Sequence, residues 1–153
     1  MLLSPVIIYT DGSCNTQTCC GAWAAIIIVG EQKTILHGTE KDTTHNRMEL
    51  LAVLKSIDFA VSRYPEIPLE IYTDSQYVTN LPERAEKLLG SRFITKKGNV
   101  LNNSDLLQEL ISLLKSHTIA FHKVKAHQKN STRENLNREV DMICRKVMRD
   151  SCE

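Results

Sequence analysis

The chain lacks several features that would assign it to a class of protein at once. Its 19 basic residues nearly balance its 18 acidic ones, and the formal net charge is +1. Bulk charge therefore does not attract nucleic acid, and any nucleic-acid site must be a local basic patch. The longest apolar run, residues 22–29, is too short to cross a bilayer, and residues 1–5 lack the basic start of a secretory signal. These absences predict a cytoplasmic, intracellular protein.

Paired cysteine motifs are absent as well. The chain has five cysteines, an odd number, and no two of them have CxxC spacing. Such usage predicts neither a zinc site nor a disulfide framework, and it favours a reducing compartment. The cysteines are Cys14, Cys19, Cys20, Cys144 and Cys152.

A length of 153 residues fits one domain, and we assign residues 1–153 to it. We see no linker, no repeat and no pattern that predicts a subunit interface, so we expect a monomer. Apolar and β-branched runs predict strands at residues 6–10, 22–29, 34–39, 69–73 and 118–124. Helical periodicity predicts a first helix that ends near residue 64. It also predicts one or two short helices over residues 75–90, with a break at Pro82, and helices over residues 105–116 and 131–149. This order predicts an α/β fold with a five-stranded mixed sheet and helices on both faces.

The tetrapeptide Ile-Tyr-Thr-Asp occurs twice and ends at Asp11 and at Asp74. Each copy closes a strand-forming run, and a small residue, Gly12 or Ser75, follows it. Neighbouring strands lie about 4.8 Å apart. If the two strands pair in parallel, both aspartates can reach one metal site.

Two further carboxylates lie at the start of the first helix and in the middle of the last helix. Glu49 follows Asn46 by three residues, so Asn46 as the N-cap with Glu49 as its reciprocal partner is an equal alternative. Asp141 lies inside a helix, where a solvated face is the usual explanation for a lone aspartate. Taken together, the four carboxylates match what two hard divalent cations need, namely oxygen ligands that suit Mg²⁺ or Mn²⁺.

Four sequence blocks resemble the signature of type 1 ribonuclease H. They are Thr-Asp-Gly-Ser at residues 10–13, Asn-Arg-Met-Glu-Leu at 46–50, Thr-Asp-Ser-Gln-Tyr-Val at 73–78, and Val-Lys-Ala-His at 124–127 followed by Asn137 and Asp141. The resemblance covers essentially the whole chain. It implies hydrolysis of the RNA strand of RNA–DNA hybrids with two metal ions, which leaves 5′-phosphate and 3′-hydroxyl ends. It places Asp11, Glu49, Asp74 and Asp141 at the metal-binding positions.

The same resemblance places His127 at a loop histidine that assists proton transfer or product release. A histidine beside a metal site is a plausible proton carrier at neutral pH. A lone loop histidine is otherwise a surface residue.

The resemblance also implies contacts with the substrate. Gly12, Ser13, Cys14, Asn46 and Gln76 are minor-groove candidates, although Gln76 equally fits as a helix cap. Thr44 and Asn103 fall where relatives hold a DNA phosphate, although both residue types are common in caps and turns.

A basic segment lies where bacterial relatives carry a protrusion that grips the duplex. Its contacts would be salt-dependent and blind to sequence, and a solvated charged surface is the alternative. The segment lacks tryptophan, since Trp23 is the only one in the chain. The basic residues are Arg84, Lys87, Arg92, Lys96 and Lys97.

The sequence is also compatible with three other functions. The chain is a ribonuclease H domain of a reverse transcriptase or mobile element, a non-catalytic nucleic-acid-binding module on the same fold, or a protein-interaction domain with surface carboxylates. A start at Met1 directly before the first strand favours a free-standing enzyme over an excised domain. Retention of all four carboxylates disfavours the non-catalytic module.

Overall fold

The computed structural model describes residues 4–124 and 132–152, and the side chains of the last segment from residue 135 onward. The strands are β1 (Val6–Cys14), β2 (Gly21–Val29), β3 (Gln32–Glu40), β4 (Leu69–Thr73) and β5 (Ile119–Lys123). The helices are α1 (His45–Arg63), α2 (Gln76–Thr79), α3 (Leu81–Gly90), α4 (Ser104–Ser116) and α5 (Thr132–Cys152). None of the described helices has the length and apolar character needed to span a membrane.

The five strands form one sheet in the order β3-β2-β1-β4-β5. β1, β2 and β3 form an antiparallel meander, whereas β4 pairs in parallel with both β1 and β5. The two copies of the repeated tetrapeptide lie side by side, with Ile8 opposite Ile71 and Tyr9 opposite Tyr72. The predicted α/β fold with a mixed sheet is confirmed, and so is the parallel pairing that brings the two copies together.

Helices cover both faces of the sheet and enclose two apolar cores. The larger core joins the sheet to α1, α2, α3 and α4, and it includes Ile8, Leu50, Ile57 and Leu107. The smaller core, which includes Tyr9, Tyr72, Val140 and Cys144, joins the opposite face to α5. Because side chains alternate along a strand, β1 sends Ile8 into one core and Tyr9 into the other.

Several element boundaries differ from those expected from the sequence. β1 continues to Cys14, because it stays paired with β2 as far as Gly21, and Asp11 therefore lies inside the strand. Residues 75–90 do form two helices, but the break lies at Asn80, and Pro82 lies in the first turn of α3, where a missing N–H costs nothing. The predicted first residue of the last helix, residue 131, lies outside the described residues.

The cysteine pattern, which predicted no disulfide framework, did not reveal the one pair that is bonded. Cys20, just before β2, is bonded to Cys152 at the end of α5, with the Cα atoms 5.7 Å apart. The two residues are separated by 132 positions, so no local spacing reveals the pair. Cys14, Cys19 and Cys144 are free thiols.

Reduction of this disulfide is expected to lower the free energy of unfolding by about 2–5 kcal/mol, because a cross-link over so long a loop restricts the unfolded chain. Denaturant unfolding of the oxidised and reduced protein measures the change. Cys20→Ser should match the reduced protein and be insensitive to reductant. Cys19→Ser, at the neighbouring exposed free thiol, is the control and should behave as the unsubstituted protein. Equal stability of the oxidised protein and Cys20→Ser would contradict the prediction.

Candidate active site

Three carboxylates from different elements meet at one edge of the sheet. Asp11 comes from β1, Glu49 from the first turns of α1, and Asp74 from the residue after β4. One oxygen from each lies within 4.8 Å of the others. Asp141 of α5 lies close enough to Asp11 to raise the pKa of that carboxyl, and it forms a salt bridge with Arg145, with Nε 3.2 Å from Oδ2. The structure thus brings three of the four carboxylates that the sequence singled out within reach of one ion, and it places the fourth, Asp141, near Asp11 and Asp74.

The side chain of Glu49 is held by the backbone of β1. The Gly12 N–H donates to Glu49 Oε1 at 2.6 Å. The capping alternative for Asn46 and Glu49 is wrong, because α1 begins at His45 and Thr44 Oγ1 accepts the cap bond from the Arg47 N–H. Glu49 is therefore free of a capping role and points into the acidic cluster.

Glycine at position 12 allows this approach. A Cβ there would lie 2.4 Å from the backbone nitrogen of Glu49 and equally close to the carbonyl carbon of Met48. Those are backbone atoms, which cannot rotate away as a side chain would. Only a residue without a Cβ therefore lets β1 touch the first turns of α1.

The cluster is electrostatically costly without a cation. Burial, followed by the charges of Glu49, Asp74 and Asp141, raises the pKa of Asp11 far above its usual range. Burial and then Asp74 raise the pKa of Glu49, and burial and then Asp141 raise that of Asp74. Oxygen-only donors that repel one another in this way fit a hard divalent cation, whose charge offsets the repulsion.

A cavity of about 520 Å³ lies between the N-termini of α1 and α4. It is lined by four of the predicted substrate-contact residues, Thr44, Asn46, Arg84 and Asn103, and by Asp42, Thr43, Arg47, Tyr77, Leu101 and Asn102.

Contacts inside this cavity set the direction of its polar groups. Asn103 has a left-handed backbone (φ 64°), and its Nδ2 donates to Tyr77 Oη at 3.4 Å. The Arg84 guanidinium lies 5.5 Å from the centre of the Tyr77 ring. Arg47 is occupied by Glu40 and Asp105, and among the described residues Arg84 has no carboxylate partner. Arg84 is therefore the lining cation that remains for an anionic ligand.

Gln76, Ser13 and Cys14 lie at the neighbouring strand ends. The cap alternative for Gln76 is wrong, because Ser75 Oγ accepts the cap bond from the Val78 N–H. The Gln76 side chain instead accepts from Lys123 Nζ at 3.2 Å. Ser13 and Cys14 end β1, and Cys14 Sγ donates to the Thr43 carbonyl at 3.3 Å.

The basic segment is only partly gathered at this site. Lys87 lies in the last turn of α3, while Lys96 and Lys97 lie in an exposed turn in which the Thr95 N–H bonds the Asn99 carbonyl. Arg92 is exposed as well. Unlike Arg84, none of these four lines the cavity. His127 lies outside the described residues.

Three residues at the site were not singled out from the sequence. Arg47 and Tyr77 belong to the two blocks that contain Glu49 and Asp74, so their place in those blocks was a usable signal. Lys123, the last residue of β5, belongs to no recognisable pattern, because only the pairing of β5 with β4 brings it beside Gln76.

The arrangement of strands and carboxylates defines the class as a ribonuclease H-like fold, and comparison with known sequences gives the family. The sequence profile of the RNase H family matches residues 4–149. A ribonuclease H of Caldicellulosiruptor saccharolyticus is 34% identical over 97% of this chain and 99% of its own length. One of Rhodopseudomonas palustris (strain BisB5) is 39% identical over 82% of each chain. The chain belongs to the ribonuclease H family.

Solved structures show the same fold at low sequence identity. LC9-RNase H1, described as a type 1 RNase H with the type 2 active-site motif, has a TM-score of 0.80 at 19% identity over 96% of this chain and 73% of its own. LC11-RNase H1, solved in complex with RNA/DNA hybrid, has a TM-score of 0.70 at 12% identity over 97% and 99% of the two chains. The RNase H domain of PFV has a TM-score of 0.73 at 18% identity over 94% of each.

Without added metal, the stability of the protein is expected to fall as pH rises from 5 to 8. The pKa values of Asp11 and Glu49 are raised in the folded state, so the folded protein binds more protons than the unfolded chain across this range. The free energy of unfolding then decreases with pH. Thermal unfolding in a chelator measures this, and Asp11→Asn should flatten the pH dependence and raise Tm by several degrees at pH 8.

Asp58→Asn, at an exposed position of α1, is the matched control and should leave the pH dependence unchanged. An Asp11→Asn protein with the same slope as the unsubstituted chain would show that repulsion at the cluster does not limit stability.

Gly12→Ala is expected to weaken Mn²⁺ binding about 10- to 100-fold, the usual effect of removing a group that orients a metal ligand. The added methyl group pushes β1 away from α1 and breaks the bond from the Gly12 N–H to Glu49. Titration calorimetry gives the affinity. Gly90→Ala, where a Cβ meets nothing within 4 Å, is the control and should bind as the unsubstituted protein does. Unchanged affinity in Gly12→Ala would contradict the role assigned to this contact.

Proposed function

We propose that the chain hydrolyses the RNA strand of RNA–DNA hybrids by a two-metal mechanism and leaves 5′-phosphate and 3′-hydroxyl ends. The observation that supports this most directly is the convergence of Asp11, Glu49 and Asp74 within 4.8 Å in a chain of the ribonuclease H family. Asp141 beside Asp11 supplies the fourth carboxylate.

Mg²⁺, or Mn²⁺ in its place, is the proposed cofactor, with two ions per site. Asp11, Glu49, Asp74 and Asp141 would hold them. When bound, such a pair of ions supplies an activated water and stabilises the leaving oxygen of a phosphodiester. The donor set fits, because it consists of carboxylate oxygens alone and because their repulsion favours cation uptake.

The chain's own groups then position the carboxylates and move protons. The Gly12 N–H fixes the direction of Glu49, and Arg145 holds one oxygen of Asp141. We assign proton transfer or product release to His127 on the basis of its place in the sequence block alone. The imidazole of a histidine can take up and release a proton near neutral pH, which suits that role.

Substrate binding is proposed at two places beside the carboxylates. The cavity offers Thr44, Arg84 and Asn103 to a phosphate of the DNA strand, and Arg84 supplies the charge. The backbone of residues 12–14, together with Asn46 and Gln76, faces the minor groove, where the 2′-hydroxyl distinguishes RNA from DNA. The hybrid in the LC11-RNase H1 complex supports the same kind of ligand for this fold.

The exposed basic segment is proposed to add contacts that do not depend on sequence. Lys87, Lys96 and Lys97 carry charge but lie outside the cavity lining, so their contacts would be peripheral. Such contacts weaken steeply with salt.

We further propose that residues 1–153 act as one catalytic domain, as a monomer and inside the cell. A reverse-transcriptase domain is the second candidate. The fold likeness to the foamy viral protease-reverse transcriptase, with a TM-score of 0.73 over 92% of each chain, is the observation in its favour. The curated relatives, which are named ribonuclease H and match at higher identity, favour the first reading.

Cleavage of an end-labelled RNA–DNA hybrid with Mg²⁺ tests the proposal, beside single-stranded RNA, duplex RNA and duplex DNA. We expect cleavage of the hybrid's RNA strand alone. The downstream fragments should carry a 5′-phosphate that phosphatase treatment removes. Asp74→Asn should lower kcat at least about 100-fold, because it withdraws a metal ligand.

Asp58→Asn carries the same chemical change at an exposed site and should retain full activity. Absence of cleavage with both Mg²⁺ and Mn²⁺ by a folded protein that still binds the hybrid would overturn the enzymatic proposal. It would favour the non-catalytic module.

A further inference from the structure

The end of β5 lies directly beside the start of α2. Lys123 is the last residue of β5 and lies opposite Thr73 in the parallel register with β4. The Val124 N–H donates to the Thr73 carbonyl at 2.8 Å, which fixes the two strand ends relative to each other. Asp74 follows, Ser75 caps α2, and Gln76 is its first residue. An exposed lysine is thereby held beside a glutamine next to the carboxylate cluster.

The contact between these two side chains determines which way the amide of Gln76 faces. Lys123 Nζ donates to Gln76 Oε1 at 3.2 Å. An ammonium group has donors only, so it can pair with the carbonyl oxygen of the amide but not with its NH₂ group. The chemistry of the pair therefore distinguishes the oxygen end of the amide from its nitrogen end. The Gln76 NH₂ group points away from Lys123, and among the described residues it has no acceptor.

We propose that Lys123 is a positioning residue that holds the Gln76 amide with its NH₂ group toward the minor groove of the bound hybrid. This inference rests on the proposed function, which places Gln76 against that groove, and assigns a role to a residue outside the family's sequence blocks.

The direction of the amide matters because the minor groove offers mainly acceptors. Every base pair presents purine N3 and pyrimidine O2 acceptors there, whereas the guanine amino group is the only base donor. An NH₂ group facing the groove therefore finds a partner at any sequence. A carbonyl facing the groove needs a guanine or a 2′-hydroxyl. Lys123 thus makes the contact of Gln76 independent of sequence, as a nuclease for hybrids of any sequence requires.

Substitution of Lys123 is the direct test. Lys123→Met removes the donor, so the amide rotates freely and loses part of its binding geometry. We expect KM for hybrid cleavage and Kd for hybrid binding to rise about three- to tenfold, the range of one hydrogen bond. The kcat should change less than twofold, and cleavage should shift toward sites with guanine in the contact register. Lys123→Arg keeps a donor and should restore binding.

A matched control separates orientation from loss of charge. Lys115→Met removes the same charge from an exposed lysine in the last turn of α4, whose Nζ lies 3.9 Å from Glu86 Oε1. It should leave KM, Kd and cleavage sites unchanged. The salt dependence of Kd should be equal in Lys123→Met and the unsubstituted protein, because loss of a phosphate contact lowers the slope of log K against log salt by nearly one unit.

A double-substitution cycle decides whether Lys123 acts through Gln76. In a Gln76→Ala background the Lys123→Met change should have no further effect, since the group it orients is gone. Gln76→Glu keeps the acceptor for Lys123 but has no donor for the groove, and it should bind at least as weakly as Gln76→Ala.

Two outcomes overturn the inference. If Lys123→Met weakens binding by the same factor in the Gln76→Ala background as in the unsubstituted protein, Lys123 contacts the duplex or acts on the nearby Asp74 instead. If Lys123→Met binds and cleaves as the unsubstituted protein does, the contact has no role in binding.

Hybrid binding, measured as the anisotropy of a labelled hybrid, keeps this test separate from the test of the proposed activity. A protein that binds hybrid but does not cut it refutes the activity, while Lys123→Met and its controls still decide the role of Lys123. A protein that cuts the hybrid but shows no effect of Lys123→Met loses this inference alone.

Discussion

The close contact between β1 and the first turns of α1 is the constraint on which the site depends. Gly12 lies so near the backbone of Met48 and Glu49 that no side chain fits between them, and its N–H holds the Glu49 carboxylate. This contact brings a helix carboxylate onto the edge of a sheet that already presents Asp11 and Asp74. Buried carboxylates at such distances raise one another's pKa, so the packing holds together groups that would otherwise separate.

The two apolar cores supply the free energy that keeps these carboxylates together. α1 lies against one face of the sheet and α5 against the other, and each carries a carboxylate to the same edge. The core under α5 is the smaller, and its helix is tied at its far end to the entry of β2 by the disulfide between Cys20 and Cys152. Hydrophobic packing and one covalent link therefore hold α5, which carries Asp141, against the sheet that carries Asp11.

Substrate recognition is built on the connections around this edge. The cavity between α1 and α4 places Thr44, Arg84 and Asn103 together, although they come from three different parts of the chain. Gln76 follows Asp74 by two residues and accepts a hydrogen bond from Lys123 of β5. Rigid strand ends and helix starts thus hold the polar groups, while the exposed basic turn near Lys96 stays outside the cavity.

The fold class, the parallel pairing of the repeated tetrapeptides and the four candidate carboxylates could all be predicted from the sequence. The fold class and the strand pairing follow from local patterns, namely strand-forming runs that end in aspartate and apolar residues at helical spacing around Leu50. Glu49 and Asp141 follow from the resemblance to the family's sequence blocks. Three further structural features could not be predicted and are visible only in the folded chain. Thr44 rather than Asn46 caps α1, Cys20 reaches Cys152 across 132 positions, and Lys123 meets Gln76. The disulfide and the contact between Lys123 and Gln76 join segments that are distant in the sequence, so no short-range pattern predicts them. The cap is a local contact between Thr44 and Arg47, and Asn46 has no reciprocal partner in Glu49, because Glu49 binds the Gly12 N–H of β1.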